Sequence, residues 1–232
     1  MIWIKLAFMF VQKETYHKIK AELDAAKVNL VAVSKTKPNE DILALYELGQ
    51  RAFGENYVQE LVDKEASLPK DIQWHFIGHL QSNKVKYIAP FVHLIHGVDG
   101  EKLLQEINKQ AIKSNRIISC LLQVHIASEE TKFGFDTESL LDLIDSGNLA
   151  KYSNVVVKGL MGMASFTQDQ ALLKKEFDGL ATTFNMVKEK LNNVHFDTLS
   201  MGMSGDYALA IKEGSTMVRI GSLLFGARNY VL

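Results

Sequence analysis

Short apolar runs alternate with longer amphipathic stretches along this 232-residue chain. Apolar runs bounded by turn-forming residues are typical of buried strands, whereas apolar residues spaced three or four apart mark one face of a helix. By this pattern we predict eight strands, with helices between most of them. The predicted strands are residues 28–34, 52–55, 73–77, 92–96, 117–126, 155–159, 197–200 and 217–220.

The clearest helical pattern lies between the sixth and seventh predicted strands. Leu173, Phe177, Leu180 and Phe184 recur at intervals of three or four residues, which places their side chains on one face of a helix. An additional helix, over about residues 13–25, precedes the first strand.

Alternating strand and helix units favour a parallel sheet, and eight such units favour a closed barrel. We therefore predict an α/β fold with a single (β/α)8 TIM barrel over residues 11–232 and an extra N-terminal helix. A doubly wound open sheet is the alternative. Residues 1–10 read as an apolar extension, and translation starting at Met9 instead of Met1 would remove most of it.

Composition and charge limit the classes of partner. Lysine and arginine (26 residues) nearly balance aspartate and glutamate (27 residues), so no basic surface is expected to bind nucleic acid. The apolar N-terminal run is too short to cross a bilayer, so no membrane association is predicted. Cys120 is the single cysteine and lies in an apolar run, which favours a core position and a reducing, cytoplasmic location.

Lys35 ends the first predicted strand. In a barrel of this kind, functional groups lie at the carboxyl ends of the strands, so the Lys35 amine is expected at the mouth of the barrel. Burial and the nearby Lys37 would favour the neutral, nucleophilic amine. The ordinary alternative is a solvated lysine.

Phosphate-binding residue types follow the seventh and eighth predicted strands. Barrels often bind phosphate at these two loops through glycine-rich backbone and helix N-termini. The candidate residues there are Ser200, Met201, Gly202, Gly221 and Ser222. Ordinary turn chemistry is the alternative, since glycine and serine occur in turns generally.

Arg219 lies within the eighth strand, two residues before Gly221. Opposite a pyridine nitrogen an arginine stays charged and keeps that nitrogen unprotonated, although a structural salt bridge is equally compatible with its position. Asn56 and Met163 follow the second and sixth strands and are expected at the same face. An amine, phosphate donors and such an arginine are the groups that pyridoxal 5'-phosphate (PLP) needs.

No metal site is predicted. His75 and His79 are four residues apart, but they straddle a strand-to-loop junction instead of sharing a helix face, and no third ligand is evident.

Six motifs extend this interpretation over nearly the whole chain. They are AVSK (32–35), FGENYVQE (53–60), WHFIGHLQ (74–81), LMGMA (160–164), LSMGMS (199–204) and VRIG (218–221). In these residues the chain resembles the YggS/PROSC family of pyridoxal phosphate homeostasis proteins, also called PLP-binding proteins. The sequence departs from the family pattern in its first ten residues.

The resemblance implies a barrel similar to the N-terminal domain of alanine racemase, the fold type III class of PLP proteins. It also implies PLP held as a Schiff base on Lys35, and a role in PLP homeostasis, not catalysis. Apo PLP-enzymes are possible recipients of the cofactor. The racemase β-domain does not follow the barrel, so we expect a monomer.

The alternative function is a PLP-dependent amino-acid racemase or decarboxylase built on a minimal barrel. Such an enzyme needs a second acid or base opposite Lys35. The sequence offers Tyr57, His79 and Lys132 for that role.

Overall fold

In the computed structural model, residues 11–129 and 133–226 are described, and they form eight strands, nine α-helices and two short 3-10 helices. The strands are β1 (Asn29–Val33), β2 (Ala52–Glu55), β3 (Gln73–Phe76), β4 (Leu94–Val98), β5 (Ile118–Val124), β6 (Val155–Gly162), β7 (Thr198–Met203) and β8 (Met217–Ile220). The helices are α1 (Lys13–Ala26), α2 (Asn39–Glu47), α3 (Val58–Ser67), α4 (Val85–Ile88), α5 (Glu101–Lys113), α6 (Thr137–Asp145), α7 (Gln170–Leu191), α8 (Tyr207–Lys212) and α9 (Ser222–Phe225). The apolar extension predicted for residues 1–10 lies outside the described residues.

The strands close into a barrel. Each strand pairs in parallel with the next one along the chain, and β1 pairs with both β2 and β8. Ala32 of β1 thus lies opposite Phe53 on one side and Ile220 on the other. The predicted (β/α)8 barrel is confirmed, and the open-sheet alternative is wrong.

Side chains alternate between two cores. The outward-facing residues of the strands, such as Leu30 and Val218, pack with the helices in one large apolar layer. Inside the barrel a smaller cluster contains Val31, Leu94, Leu121, Met161 and Met217. The alternation is what a strand with period two requires when both of its faces are buried.

The helices bury the predicted faces. Leu173, Phe177, Leu180 and Phe184 of α7 are all buried in the outer layer. The helix α1 begins and ends within a residue of its predicted bounds and packs against α9. In the described part of the chain, no helix is long and apolar enough to cross a membrane.

Several strand ends differ from prediction. β4 lies two residues later than predicted, β6 continues to Gly162 and β7 continues to Met203. The β5–β6 and β7–β8 pairs each contain a register shift, which keeps glycine-containing segments within the sheet. The prediction instead ended β6 and β7 at their glycine-containing segments.

Cys120 is fully buried on β5, and burial raises the pKa of its thiol to about 12.

Gly159 follows the register shift in β6 and provides a test of it. Its φ is +154°, and a Cβ added there would lie 1.7 Å from the carbonyl oxygen of Thr198. We expect Gly159→Ala to lower the free energy of unfolding by on the order of 3 kcal/mol, because β6 and β7 would have to separate. Gly179→Ala is the matched control: its Cβ meets nothing within 4 Å inside α7. That control should raise stability by roughly 0.5–1 kcal/mol. Urea titration followed by circular dichroism measures both, and equal stability of the two variants would contradict this account.

Candidate functional site

A cavity of about 410 Å³ lies at the carboxyl ends of the strands. Its wall is built by the segments that follow β1, β2, β3, β6, β7 and β8. Among the residues that the sequence singles out, it is lined by Lys35, Asn56, Met163, Arg219, Gly221 and Ser222. Val33 and Ile77 add apolar surface from β1 and the end of β3.

Lys35 is the second residue after β1 and is half-buried at the mouth of the barrel. The backbone on either side is tied down: the Ser34 amide donates to the Gly54 carbonyl at 3.0 Å, and the Lys37 amide donates to the Ser34 carbonyl at 3.0 Å. The Lys37 ammonium donates to the carbonyl oxygen of Phe225 at 2.9 Å, so this second lysine is anchored to the end of α9.

A buried ionic network supports this segment from outside the sheet. The Lys64 ammonium donates to Glu55 Oε1 at 2.8 Å and to the Ser34 carbonyl at 2.8 Å, and Ser34 Oγ donates to Glu55 Oε1 at 2.5 Å. Burial raises the pKa of Glu55 to about 7, although Lys64 and Ser34 each act to lower it. The network joins β1, β2 and α3 behind the cavity.

Arg219 enters the cavity from β8 and is almost completely buried. Its Nη1 donates to the carbonyl and to Oγ of Ser200 at 2.9 and 2.6 Å, and its Nη2 donates to the Gly162 carbonyl at 3.0 Å. Burial lowers the pKa of Arg219 to about 10, which still leaves the guanidinium charged at neutral pH. Three of its five N–H donors have protein acceptors, so the group is fixed in direction.

A chain of polar side chains continues from Arg219 into the barrel. Ser200 Oγ lies 3.2 Å from His96 Nδ1, and His96 Nε2 lies 2.9 Å from His75 Nδ1. Burial lowers the pKa of His75 to about 3 and that of His96 well below its ordinary value, so both rings are neutral at physiological pH. Because Ser200 Oγ accepts from Arg219, its own proton is available for His96. His96 Nε2 can then donate to His75 Nδ1, and His75 Nε2 has no hydrogen-bond partner among the described residues.

Three residues predicted to bind phosphate are not on the cavity wall. Ser200 and Met201 are fully buried within β7, and Gly202 is buried against α8. Gly202 has a φ of +95°, and a Cβ there would lie 2.6 Å from the Cβ of Ala210, so this glycine allows α8 to approach the strand. The prediction placed the end of β7 at residue 200, whereas the strand continues to Met203.

Ser204 and Gly205 line the cavity where the prediction placed Ser200 to Gly202. Ser204 Oγ accepts a hydrogen bond from the Gly221 amide at 3.2 Å, which joins the loops after β7 and β8. Ser204 ends the LSMGMS motif, so the motif extends into the loop that lines the cavity, while which of its residues reaches the cavity wall depends on the length of β7.

Two of the three predicted second acid or base groups lie on a different cavity. Tyr57 and His79 line a neighbouring cavity of about 450 Å³, which shares Asn56 with the first. His79 Nδ1 lies 3.0 Å from Asp99 Oδ2, and its ring stacks on Phe133. Lys132 lies outside the described residues.

The positions of His75 and His79 do not favour metal binding. His75 lies in the barrel interior, whereas His79 is exposed on the loop that follows, so the two do not share a site. Within residues 11–129 and 133–226, no cluster of three or more His, Cys, Asp or Glu side chains is arranged to hold a metal ion.

Comparison with known proteins gives a consistent picture. Residues 13–229 match the family model described as the alanine racemase N-terminal domain. A pyridoxal phosphate homeostasis protein of Pasteurella multocida (strain Pm70) is 39% identical over 226 residues, covering 95% of each chain. Among solved structures, PipY of Synechococcus elongatus PCC7942 without PLP has a TM-score of 0.86 and 34% identity over 92% of this chain and 99% of PipY. The same protein with PLP bound has a TM-score of 0.83 and 33% identity, with the same coverage.

The structure assigns Ser200 an internal role, which can be tested. In Ser200→Ala, His96 loses its hydrogen-bond partner on Nδ1 and Arg219 loses one of three acceptors, so both buried groups are left less satisfied. We expect the free energy of unfolding to fall by about 1–3 kcal/mol in a urea titration. The matched control is Ser204→Ala, whose hydroxyl faces the cavity and whose loss should cost less than about 1 kcal/mol. A larger effect of the control than of Ser200→Ala would contradict the assignment.

Proposed function

Because the chain belongs to the family of pyridoxal phosphate homeostasis proteins, which share the alanine racemase N-terminal domain, we propose that it binds PLP in the cavity at the carboxyl ends of its strands. One observation carries the proposal: a lysine amine, a serine-lined turn and a buried arginine line the same cavity. The PLP-bound structure of PipY supports it from a relative that matches nearly the whole chain.

The donor set fits the cofactor. Asn56 Oδ1 is buried without a hydrogen-bond partner, which leaves an acceptor available at the cavity wall. A Cβ added at Gly221 would lie 3.2 Å from the Val33 carbonyl oxygen, so the absence of a side chain lets the loop after β8 pass close to β1, beside the Ser204 and Ser222 hydroxyls. Amides and hydroxyls of this kind bind phosphate oxygens.

Each residue has a distinct role in this proposal. Lys35 holds the cofactor covalently through its side-chain amine, and Gly221, Ser222 and Ser204 hold the phosphate. Arg219 faces the ring nitrogen. Bound PLP supplies an aldehyde that an amine takes up and an aromatic ring that withdraws electrons. Because Arg219 is positively charged and can only donate hydrogen bonds, it keeps the ring nitrogen unprotonated and limits that withdrawal.

We further propose that the protein acts in PLP homeostasis in the cytoplasm, as a monomer that passes the cofactor to apo PLP-enzymes, and not as a catalyst. Two features support the non-catalytic role. Tyr57 and His79 face a neighbouring cavity, so they are poorly placed as a second acid or base opposite Lys35. The cationic partner of the ring nitrogen disfavours carbanion chemistry. Among the described residues, no specific observation therefore favours the racemase or decarboxylase alternative.

Covalent binding is tested by replacing Lys35. After incubation with PLP and borohydride reduction, the wild-type protein should carry one cofactor adduct on the peptide that contains Lys35, measured by mass spectrometry. Lys35→Ala should carry none, whereas Lys37→Ala, whose amine is bonded to the Phe225 carbonyl, should keep the adduct. An adduct of wild-type yield in Lys35→Ala would refute the assignment.

The non-catalytic role is tested by hydrogen exchange on substrate. The PLP-loaded protein is incubated with L-alanine in deuterated water, and deuterium at Cα is followed by NMR. We expect exchange at least about a thousandfold slower than the turnover typical of enzymes, on the order of 10 s⁻¹. Exchange at enzyme-like rates, lost in Lys35→Ala, would instead establish a catalyst.

A further inference from the structure

We propose that Glu60 is a positioning residue for Lys35. Its carboxylate holds Thr36 in a strained backbone conformation and so directs the Lys35 amine into the cavity. The inference rests on the proposed function, in which Lys35 binds PLP, and it assigns a role to a side chain that does not line the cavity.

The strain is located at Thr36, the residue after Lys35. Its φ is +63°, in the left-handed region that β-branched residues avoid. In the described residues, three other non-glycine residues have positive φ: Lys27, Asn115 and Asn192, and each lies at or just after the end of a helix. Left-handed residues are common at helix ends, whereas Thr36 lies in a strand-to-helix loop at the candidate site. Such a conformation persists where surrounding contacts impose it.

Glu60 makes the contact that imposes it. The Thr36 amide donates to Glu60 Oε1 at 2.6 Å, across a sequence separation of 24 residues. The same oxygen accepts from the Lys64 ammonium at 2.6 Å. Lys64 is nearly buried, and its remaining two bonds go to Glu55 and to the Ser34 carbonyl. The carboxylate that receives the Thr36 amide is therefore itself held by a buried cation.

Both neighbours of Lys35 in the chain are thus bound to one rigid pair. Ser34 is held through its carbonyl by Lys64, and Thr36 is held through its amide by Glu60. With its backbone fixed on both sides, Lys35 can place its side chain in a narrow range of directions. Without the Glu60 bond, Thr36 would relax to negative φ, and the fraction of molecules with Lys35 in the cavity would fall. The apparent dissociation constant rises in inverse proportion to that fraction.

A purely structural role for Glu60 makes a different prediction. Glu60 lies in the first turn of α3 and forms an i,i+4 pair with Lys64, which could stabilise that helix alone. In that case a glycine at position 36 would not compensate for the loss of the carboxylate. If the role is to hold Thr36, glycine should compensate, because it adopts positive φ without strain.

The test uses the full chain and three variants: Glu60→Ala, Glu60→Ala with Thr36→Gly, and Glu65→Ala. Glu65 is the matched control because it lies on the same helix and pairs with Lys70 instead. PLP affinity is measured by absorbance titration, and the fraction bound to Lys35 by borohydride reduction and mass spectrometry. We expect Glu60→Ala to weaken apparent affinity about tenfold, Glu65→Ala to leave it unchanged, and the double variant to recover most of the loss.

A second readout does not depend on the cofactor. Hydrogen exchange of the Thr36 amide, followed by NMR without added PLP, should accelerate in Glu60→Ala and not in Glu65→Ala. If wild-type protein takes up no PLP on Lys35, the proposed function fails, while amide exchange still tests the Glu60 contact. If Glu60→Ala does not fold, Glu60→Gln keeps an acceptor oxygen and should show the same changes at reduced size. Unchanged affinity in the folded Glu60 variant, or no recovery on adding Thr36→Gly, would overturn the proposal.

Discussion

Closure of the sheet between β1 and β8 is the constraint on which the candidate site depends. Val31 lies opposite Arg219 and Ala32 opposite Ile220 in the parallel register of these strands. Lys35 follows one strand and Gly221 follows the other, so pairing the two ends of the chain's sheet places both at the same rim. Among the described strands, closure leaves no unpaired edge. The hydrogen bonds between β1 and β8 that close the barrel also bring residues of the cavity wall together.

The barrel interior contains the charge of Arg219, which no carboxylate among the described residues contacts directly. Arg219 is held by two backbone carbonyls and the Ser200 hydroxyl, and Asp206 acts on it without a hydrogen bond, raising its pKa against the larger lowering by burial. Carbonyl acceptors fix the guanidinium without cancelling its charge, so its remaining donors can act on a ligand. His96 and His75 behind it stay neutral because burial disfavours their charged forms, and they add no repulsion at physiological pH.

On the outer side of the sheet, next to β1, a buried cation is paired directly with carboxylates, unlike Arg219. Lys64 is a single buried cation that meets two carboxylates, Glu55 and Glu60, and its three protons are all used. Removing one member of such a network would leave another buried charge unpaired, so its contacts are costly to break. These contacts matter because they hold the chain on both sides of Lys35, whose position the candidate site requires.

Local sequence determined the number and order of the strands, the buried face of α7 and the lysine at the end of β1. Each of these follows from the periodicity of side chains within one element, which acts over a few residues. The tertiary structure decided whether Ser200 faces the cavity or the barrel interior, because a strand's end and register depend on its neighbours and β7 contains a shift near Gly202. It also decided the conformation of Thr36. That residue reads as ordinary loop in sequence, and its positive φ is imposed by a carboxylate that only folding brings beside it.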